Sequence, residues 1–289
     1  MPYGEGGRKE RLMNTPRTYP EGVTCWVDIE VVDVEEAARF YGVLFGWTFL
    51  DVGRKPRYFI AQRDGQDAAG ISQRPVDEPI ARPAAWNTYI SVREINPVAD
   101  HLVSAGGRIA ESPSNFVEGA LIASCLDPEG IPFRLWQSQE RYGAQVANTP
   151  GAWNFSDLHT ADPSAATAFY GGLFGWIFDD IGFATMIRQP GYGDHLAATS
   201  DPWIHQRQSG AQVPPGFADA FAWLALAQDD QPHWHVTFTV ADRDDSAAAA
   251  EDLGAIVVSS ADTEWTRDAQ IRDPQGAVFT VSQYTPPSG

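Results

Sequence analysis

Asp157 and His159 stand two residues apart in the run NFSDLHT, and His233 and His235 stand two apart in HWHVTFT. Imidazole titrates near neutral pH without a large environmental shift, so His159 and His235 are the candidates for proton transfer. Asp157 is spaced to share a strand face with His159 and is placed to orient or charge it. Asp28 and Glu30 form the parallel pair in WVDIEV. Each histidine has a second reading as a hydrogen-bonded residue with no catalytic duty. For the carboxylates, Arg134 or a backbone cap are alternative partners.

These groups need strands to position them, and period-two alternation sorts each strand onto two faces. Val27, Ile29 and Val31 are expected to pack under a helix, which leaves Trp26, Asp28 and Glu30 on the other face. Val236, Phe238 and Val240 leave His235, Thr237 and Thr239 in the same way. Two further leading strands present Asn87, Tyr89 and Ser91, and Phe155, Asp157 and His159. All four faces carry polar groups, and a buried unpaired hydroxyl or carboxylate costs about 2 kcal/mol or more. A wet or ligand-filled hollow is the expectation; a satisfied polar network or solvent-facing strands are the alternatives. Trp26, Trp86, Trp136, Trp153, Phe155 and Tyr89 lie at or beside these strands and offer flat faces to a planar ligand. Their alternative is core packing, which is the reading for Trp47 and Trp176.

The strands belong to a duplicated plan. Residues 26–47, WVDIEVVDVEEAARFYGVLFGW, return at 155–176 as FSDLHTADPSAATAFYGGLFGW, and a long fixed repeat dictates architecture. Asp33 with Glu36 is a capping-box start, and Asp162-Pro163 is a second helix start. Phe40, Tyr41, Leu44 and Phe45, and their counterparts Phe169, Tyr170, Leu173 and Phe174, fall at helical spacing, and Gly46 and Gly175 end the helices. Strands are expected at 48–52, 57–62 and 68–72, and after the second helix at 176–180, 183–188 and 195–199. LDPEGIPFRLWQ at 126–137 matches RDPQGAVFTVSQ at 272–283, so the even-numbered units are partners too. Four βαβββ units result, with a Pro-rich link at 74–83. The stretch 200–234 is read either as a lid or as a surface connection.

With 289 residues, two domains are expected: 21–142 and 150–285, behind a flexible arm at 1–20. A net charge of −18 disfavours nucleic acid and anionic membrane surfaces as partners. No apolar leader or membrane-length run is evident, so a soluble cytoplasmic protein, monomer or homodimer, is expected. Cys25 and Cys125 lack a CxxC spacing and read as buried free thiols.

The AxxFYxxLFGW signature in odd-numbered units and D-P-x-G before the last strand of even-numbered ones resemble the vicinal oxygen chelate superfamily. That superfamily includes glyoxalase I, extradiol dioxygenases, and fosfomycin and bleomycin resistance proteins; the two-domain layout is similar to its glyoxalase-like members. The resemblance implies an α+β fold in which four tandem βαβββ modules pair into two cupped mixed sheets, helices outside and a small-molecule ligand inside. Metal-using members place His or Gln on a module's first strand and Glu or His on its last. Here those positions carry Trp26, Asn87, Phe155 and His235, then Arg134 and Thr280. A hydroxyl, an amide and an arginine do not replace imidazoles and a carboxylate around a transition metal, so no metal or other cofactor is expected. An unorthodox site from Asp157, His159, His195, His233 and His235 is the alternative.

The expected ligand set is therefore Trp26, Asp28, Glu30, Asn87, Tyr89, Arg134, Trp136, Phe155, Thr237 and Thr280, with His159, His235 and Asp157 catalytic. The expected function is binding of an aromatic or hydrophobic organic molecule, with metal-independent acid–base chemistry of isomerase, cyclase or lyase type. A non-catalytic sequestering protein is the alternative, and a metal-dependent glyoxalase or dioxygenase the weakest reading. The unequal halves point to one specialised hollow, the second.

Overall fold

Each helix signature is preceded by a strand and followed by three more, and the computed structural model carries this plan through four times. It describes residues 16–74, 84–116, 119–182, 184–209, 213–227 and 231–285. The first module is β1 (Thr24–Val31), α1 (Val34–Phe45), β2 (Thr48–Asp51), β3 (Tyr58–Arg63) and β4 (Gln66–Gln73). The second is β5 (Ala85–Val92), α2 (Ile95–Ser104), β6 (Arg108–Asn115), β7 (Ala120–Leu126) and β8 (Pro132–Ser138). The third runs β9 (Ala152–Thr160), α3 (Pro163–Phe174), β10 (Ile177–Asp180), β11 (Thr185–Arg188), α4 (Tyr192–Thr199), α5 (Ile204–Ser209) and β12 (Ala220–Leu226). The fourth is β13 (His233–Thr239), α6 (Arg243–Asp252), β14 (Ile256–Asp262), β15 (Thr266–Arg272) and β16 (Val278–Tyr284).

Modules one and two share an eight-stranded sheet in the order β2-β3-β4-β1-β5-β8-β7-β6, and modules three and four share β10-β11-β12-β9-β13-β16-β15-β14. The sheets are mixed because the helix is a crossover connection: it lets the last strand return parallel to the first, as β4 does beside β1, β12 beside β9 and β16 beside β13. The helices lie outside. The expected α+β architecture of two mixed sheets is the observed one.

The helix starts are local. Asp33 accepts from the backbone N–H of Glu35 and Glu36, both at 3.0 Å, and Asp162 accepts from Ala165 N at 3.0 Å. The capping box is completed from a distance, because Asp33 N donates to Gln275 Oε1 at 2.9 Å. Gly46 and Gly175 both sit in the left-handed region, with φ of 68° and 72°, and terminate α1 and α3.

By contact density the chain forms two compact units that cut across the sheets. One comprises Trp26–Tyr89, Val146–Asp157 and His233–Gly289. Its core is aromatic: Tyr41 meets Trp86 edge-on at 5.3 Å, and Phe238 lies 4.7 Å from Phe45 and 4.9 Å from Trp86. Inside it Tyr41 donates to Asp273 Oδ2 at 2.8 Å. The other comprises Met1–Cys25, Ile90–Gln145 and Leu158–Pro232. There Tyr170 stacks on Trp176 at 4.9 Å and donates to Asp127 Oδ2 at 3.1 Å. The two D-P-x-G aspartates also accept backbone N–H groups of their own turns, Ile131 and Ala277 each at 2.8 Å.

Two expectations are corrected. Residues 195–199 form part of helix α4, and the strand that closes module three is β12, inside the stretch read as a lid or link. Tyr192 and Leu196 bury one side of a helix at four-residue spacing, and Asp219 Oδ1 accepts Gly193 N at 2.8 Å within its first turn. β12 takes the inner place instead, with Phe221, Ala222 and Leu224 buried. Aligning module three on module one concealed the insertion between them. Residues 1–15 of the expected flexible arm and 75–83 of the Pro-rich link lie outside the described residues. Arg17 N donates to Gln145 Oε1 at 2.9 Å, and Tyr19 Oη donates to Ala144 O at 2.8 Å.

Burial pushes the carboxyls of Asp127 and Asp273 above the usual carboxylate range, against the pull of their hydrogen bonds. A carboxyl raised by folding favours the folded state when protonated, and that contribution disappears as pH climbs past its raised value. Asp127→Asn and Asp273→Asn, which keep an acceptor and cannot ionise, should therefore gain stability relative to the native chain as pH rises above the usual carboxylate value of about 4 in urea titrations. Asp127→Ala or Asp273→Ala strands the tyrosine hydroxyl and the turn N–H groups and should cost about 2–4 kcal/mol. Equal behaviour of the Asn and Ala variants would refute this account.

Candidate functional site

Asp28 on β1 is fully buried, and its carboxylate is surrounded by donors. Tyr89 Oη from β5 donates to Oδ2 at 2.6 Å, Tyr58 Oη from β3 donates to the same oxygen at 3.2 Å, and Asn87 Nδ2 donates to Oδ1 at 2.8 Å. Trp26 Nε1 in turn donates to Tyr58 Oη at 3.0 Å. Tyr58 reaches Asp28 by crossing β4 where Gly70 is in register with Asp28. A Cβ at Gly70 would lie 1.8 Å from the Tyr58 hydroxyl, so only glycine permits the crossing. Charge-assisted hydrogen bonds of this kind each contribute about 1.5–3 kcal/mol and offset the desolvation of the carboxylate.

The corresponding face of the second sheet is more open. Phe155, Asp157 and His159 alternate along β9 and are all half-buried, as are His233 and Thr237 on β13 and Thr280 on β16. Thr237 is in register with Thr280. His235 is buried, and its Nε2 lies 2.8 Å from Thr280 Oγ1. The His233 and His235 rings meet edge to face with centroids 5.6 Å apart. Thr280 fixes the plane of the His235 ring and reads its tautomer, since the hydroxyl either accepts from Nε2–H or donates to the bare nitrogen.

The remaining sequence-derived candidates divide. Trp26, Asp28, Asn87 and Tyr89 come together in the network above. Glu30 is half-buried one strand position further on. Trp136 Nε1 donates to Arg141 O at 3.0 Å and its ring meets Phe116 at 6.0 Å, while half-buried Arg134 faces Ser124 across the β7–β8 pair. Trp86 points to the helix side, into the aromatic core. His195 belongs to α4, where Nε2 lies 3.1 Å from Thr18 Oγ1. Trp47 and Trp176 pack in the cores, as read from sequence. Tyr58 and Gly70 were missed; a lone glycine inside the strand-like run AAGIS was the available signal.

Comparison with known proteins decides the family. Residues 26–135 match the family model of the glyoxalase/bleomycin resistance protein/dioxygenase superfamily, and residues 155–282 match a glyoxalase-like domain. A Mycobacterium tuberculosis protein, CFP32, provisionally named a glyoxylase, is 30% identical over 93% of this chain and 97% of its own. The chain belongs to the glyoxalase/bleomycin resistance protein/dioxygenase superfamily. The anthracycline biosynthesis protein DnrV of Streptomyces peucetius is 28% identical over 91% of this chain and 94% of its own. Among solved structures, the Mn(II)-bound glyoxalase of Novosphingobium aromaticivorans shares the fold at 14% identity, with a TM-score of 0.59 over 92% of this chain and 84% of that one. The 2,3-dioxygenase LapB of Pseudomonas sp. KL28 does so at 10% identity, with a TM-score of 0.58 over 92% and 95%.

Members of this superfamily that use a divalent metal need imidazole and carboxylate donors converging on one point, and the donors here do not fit. The positions concerned offer indole at Trp26, amide at Asn87, phenyl at Phe155 and one imidazole at His235, whose Nε2 is engaged with Thr280. Among the described residues no group of three His, Cys, Asp or Glu side chains comes together. The thiols do not substitute: Cys25 and Cys125 are buried and unoxidised, and burial pushes Cys125 up to about 12. Dialysis against EDTA should leave the melting temperature of the protein unchanged. A fall reversed by manganese, iron or zinc would show a structural metal and overturn this reading.

Proposed function

We propose that the second sheet binds a planar polycyclic aromatic metabolite and that His235 moves a proton on it without a metal, in an isomerase, cyclase or lyase reaction. The observation that carries this reading is the His235–Thr280 pair on a strand face whose neighbours, Asp157, Thr237 and Phe155, are only half-buried. A concave face with a few convergent polar groups among aromatics suits a ligand of this kind. The kinship with an anthracycline biosynthesis protein supports a fused-ring natural product as the class.

In the tautomer that donates Nε2–H to Thr280, the lone pair resides on Nδ1. That nitrogen is buried, so a ligand reaches it only by parting the side chains around it; it then takes a proton from a carbon next to a ligand carbonyl, and Thr280 keeps the ring in place while the imidazolium forms. Return of the proton to a different atom completes an isomerisation with no change in oxidation state. Asp157 presents its carboxyl group on the same face of the sheet. No helix among the described residues is long and apolar enough to cross a membrane.

The test begins with native mass spectrometry of the purified protein to identify any co-purified ligand, followed by turnover assays on that compound. His235→Asn should lower kcat about 100-fold or more, whereas Thr280→Val should lower kcat about tenfold with little change in KM. Return of the compound unchanged and in stoichiometric amount would instead establish a sequestering protein. Binding confined to small polar aldehydes would end the aromatic assignment.

A further inference from the structure

The two sheets are copies, and their leading strands place a carboxylate at the same position: TCWVDIEV carries Asp28 where AWNFSDLHT carries Asp157. Their surroundings have diverged. Asn87 and Tyr89 of β5 correspond to His235 and Thr237 of β13. Thr48 pairs with Gln62, and Ile177 with Arg188, so the strand position of Tyr58 falls on Ala184. Gly70, which clears a path for the Tyr58 side chain, has Trp223 as its counterpart on β12.

Both tyrosines that donate to Asp28 have thus become small residues around Asp157, and the glycine that admits one of them has become a tryptophan that forbids it. The consequence is visible in exposure. Asp28 and Tyr89 are 0% exposed, Trp26 1% and Tyr58 2%, whereas Asp157, Phe155 and Thr237 are half-buried.

We infer that Tyr58 and Tyr89 are a built-in plug: their side chains occupy the ligand position of the first sheet, their hydroxyls stand in for a ligand's polar groups on Asp28, and the chain takes a single ligand, on the second sheet. This rests on the assignment of the ligand face made above, but it has a test that needs no ligand. Carbodiimide labelling with glycine ethyl ester, read by peptide mass spectrometry, should modify Asp157 in the native chain and spare Asp28. Tyr58→Ala combined with Tyr89→Thr should raise Asp28 labelling about tenfold or more, because reaction then no longer waits for local opening, and should leave Asp157 unchanged. Tyr58→Phe with Tyr89→Phe, which keeps the bulk of the rings, should leave Asp28 protected.

The second arm is stoichiometry, measured by calorimetry with 1,4-dihydroxyanthraquinone as the probe. The native chain should bind a single equivalent, and the unplugged variant a second. Labelling of Asp28 in the native chain, or equal protection of both aspartates, overturns the inference even if the unplugged variant fails to fold. Absence of anthraquinone binding by the native chain counts against the ligand class alone, and the footprint still decides the plug.

Discussion

The architecture depends on a pair of buried tyrosine–aspartate hydrogen bonds, Tyr41 to Asp273 and Tyr170 to Asp127. Each joins the helix signature of an odd-numbered module to the D-P-x-G turn of an even-numbered one, far away in sequence. The variable residue of the same turn makes a second tie to the entry of that helix. Gln275 accepts Val32 N and Asp33 N and returns its amide to Asp33 O, and Glu129 accepts Ala161 N. A carboxyl at this site is tolerable only because the hydroxyl and two or more turn N–H groups point at it. Hence the two motifs alternate along the chain: each is half of a junction, and a unit is complete only when it contains both halves.

That junction also marks the limit of what the sequence discloses. The four modules, the caps at Asp33 and Asp162, the glycine stops and the inward faces of the leading strands were legible because each is set by neighbours within a few residues. The bond between Tyr41 and Asp273 spans most of the chain and has no local signal, although both residues sit in motifs that the repeat exposes. β12 was overlooked for the opposite reason. The repeat imposed the spacing of module one on module three, where α4 and α5 intervene, although the run AFAWLAL is itself strand-like. Tyr58 was missed because its importance comes from crossing β4 over a glycine to reach β1, a three-body relation that strand alternation cannot reveal.

The two halves show how little of a site resides in one residue type. Asp28 and Asp157 occupy equivalent strand positions, yet one is enclosed by two phenols, an amide and, through Tyr58, an indole, while the other borders half-buried aromatic and hydroxyl groups. A fully buried carboxylate enclosed by donors is inaccessible to a ligand. The reading from sequence treated the first-half residues as ligand contacts because they are polar and face inward. Their mutual hydrogen bonds realise the alternative of a satisfied network, and the energetic reason for that alternative, the cost of burying an unpaired charge, was the same reason that suggested a hollow.

Loss of the metal donors follows the same logic. Once an indole and an amide stand where two imidazoles are needed, the first sheet cannot polarise a substrate carbonyl through a cation, and its interior is better filled than left wet. At those positions the second sheet carries one imidazole, His235, held against Thr280. Where the metal-ligand positions carry these other groups, the first sheet is held together by its own hydrogen bonds, and the second leaves its corresponding face half-buried. The cost of each change is contained because the tyrosine–aspartate junctions lie on the helix side of the strands and do not share atoms with the faces that changed.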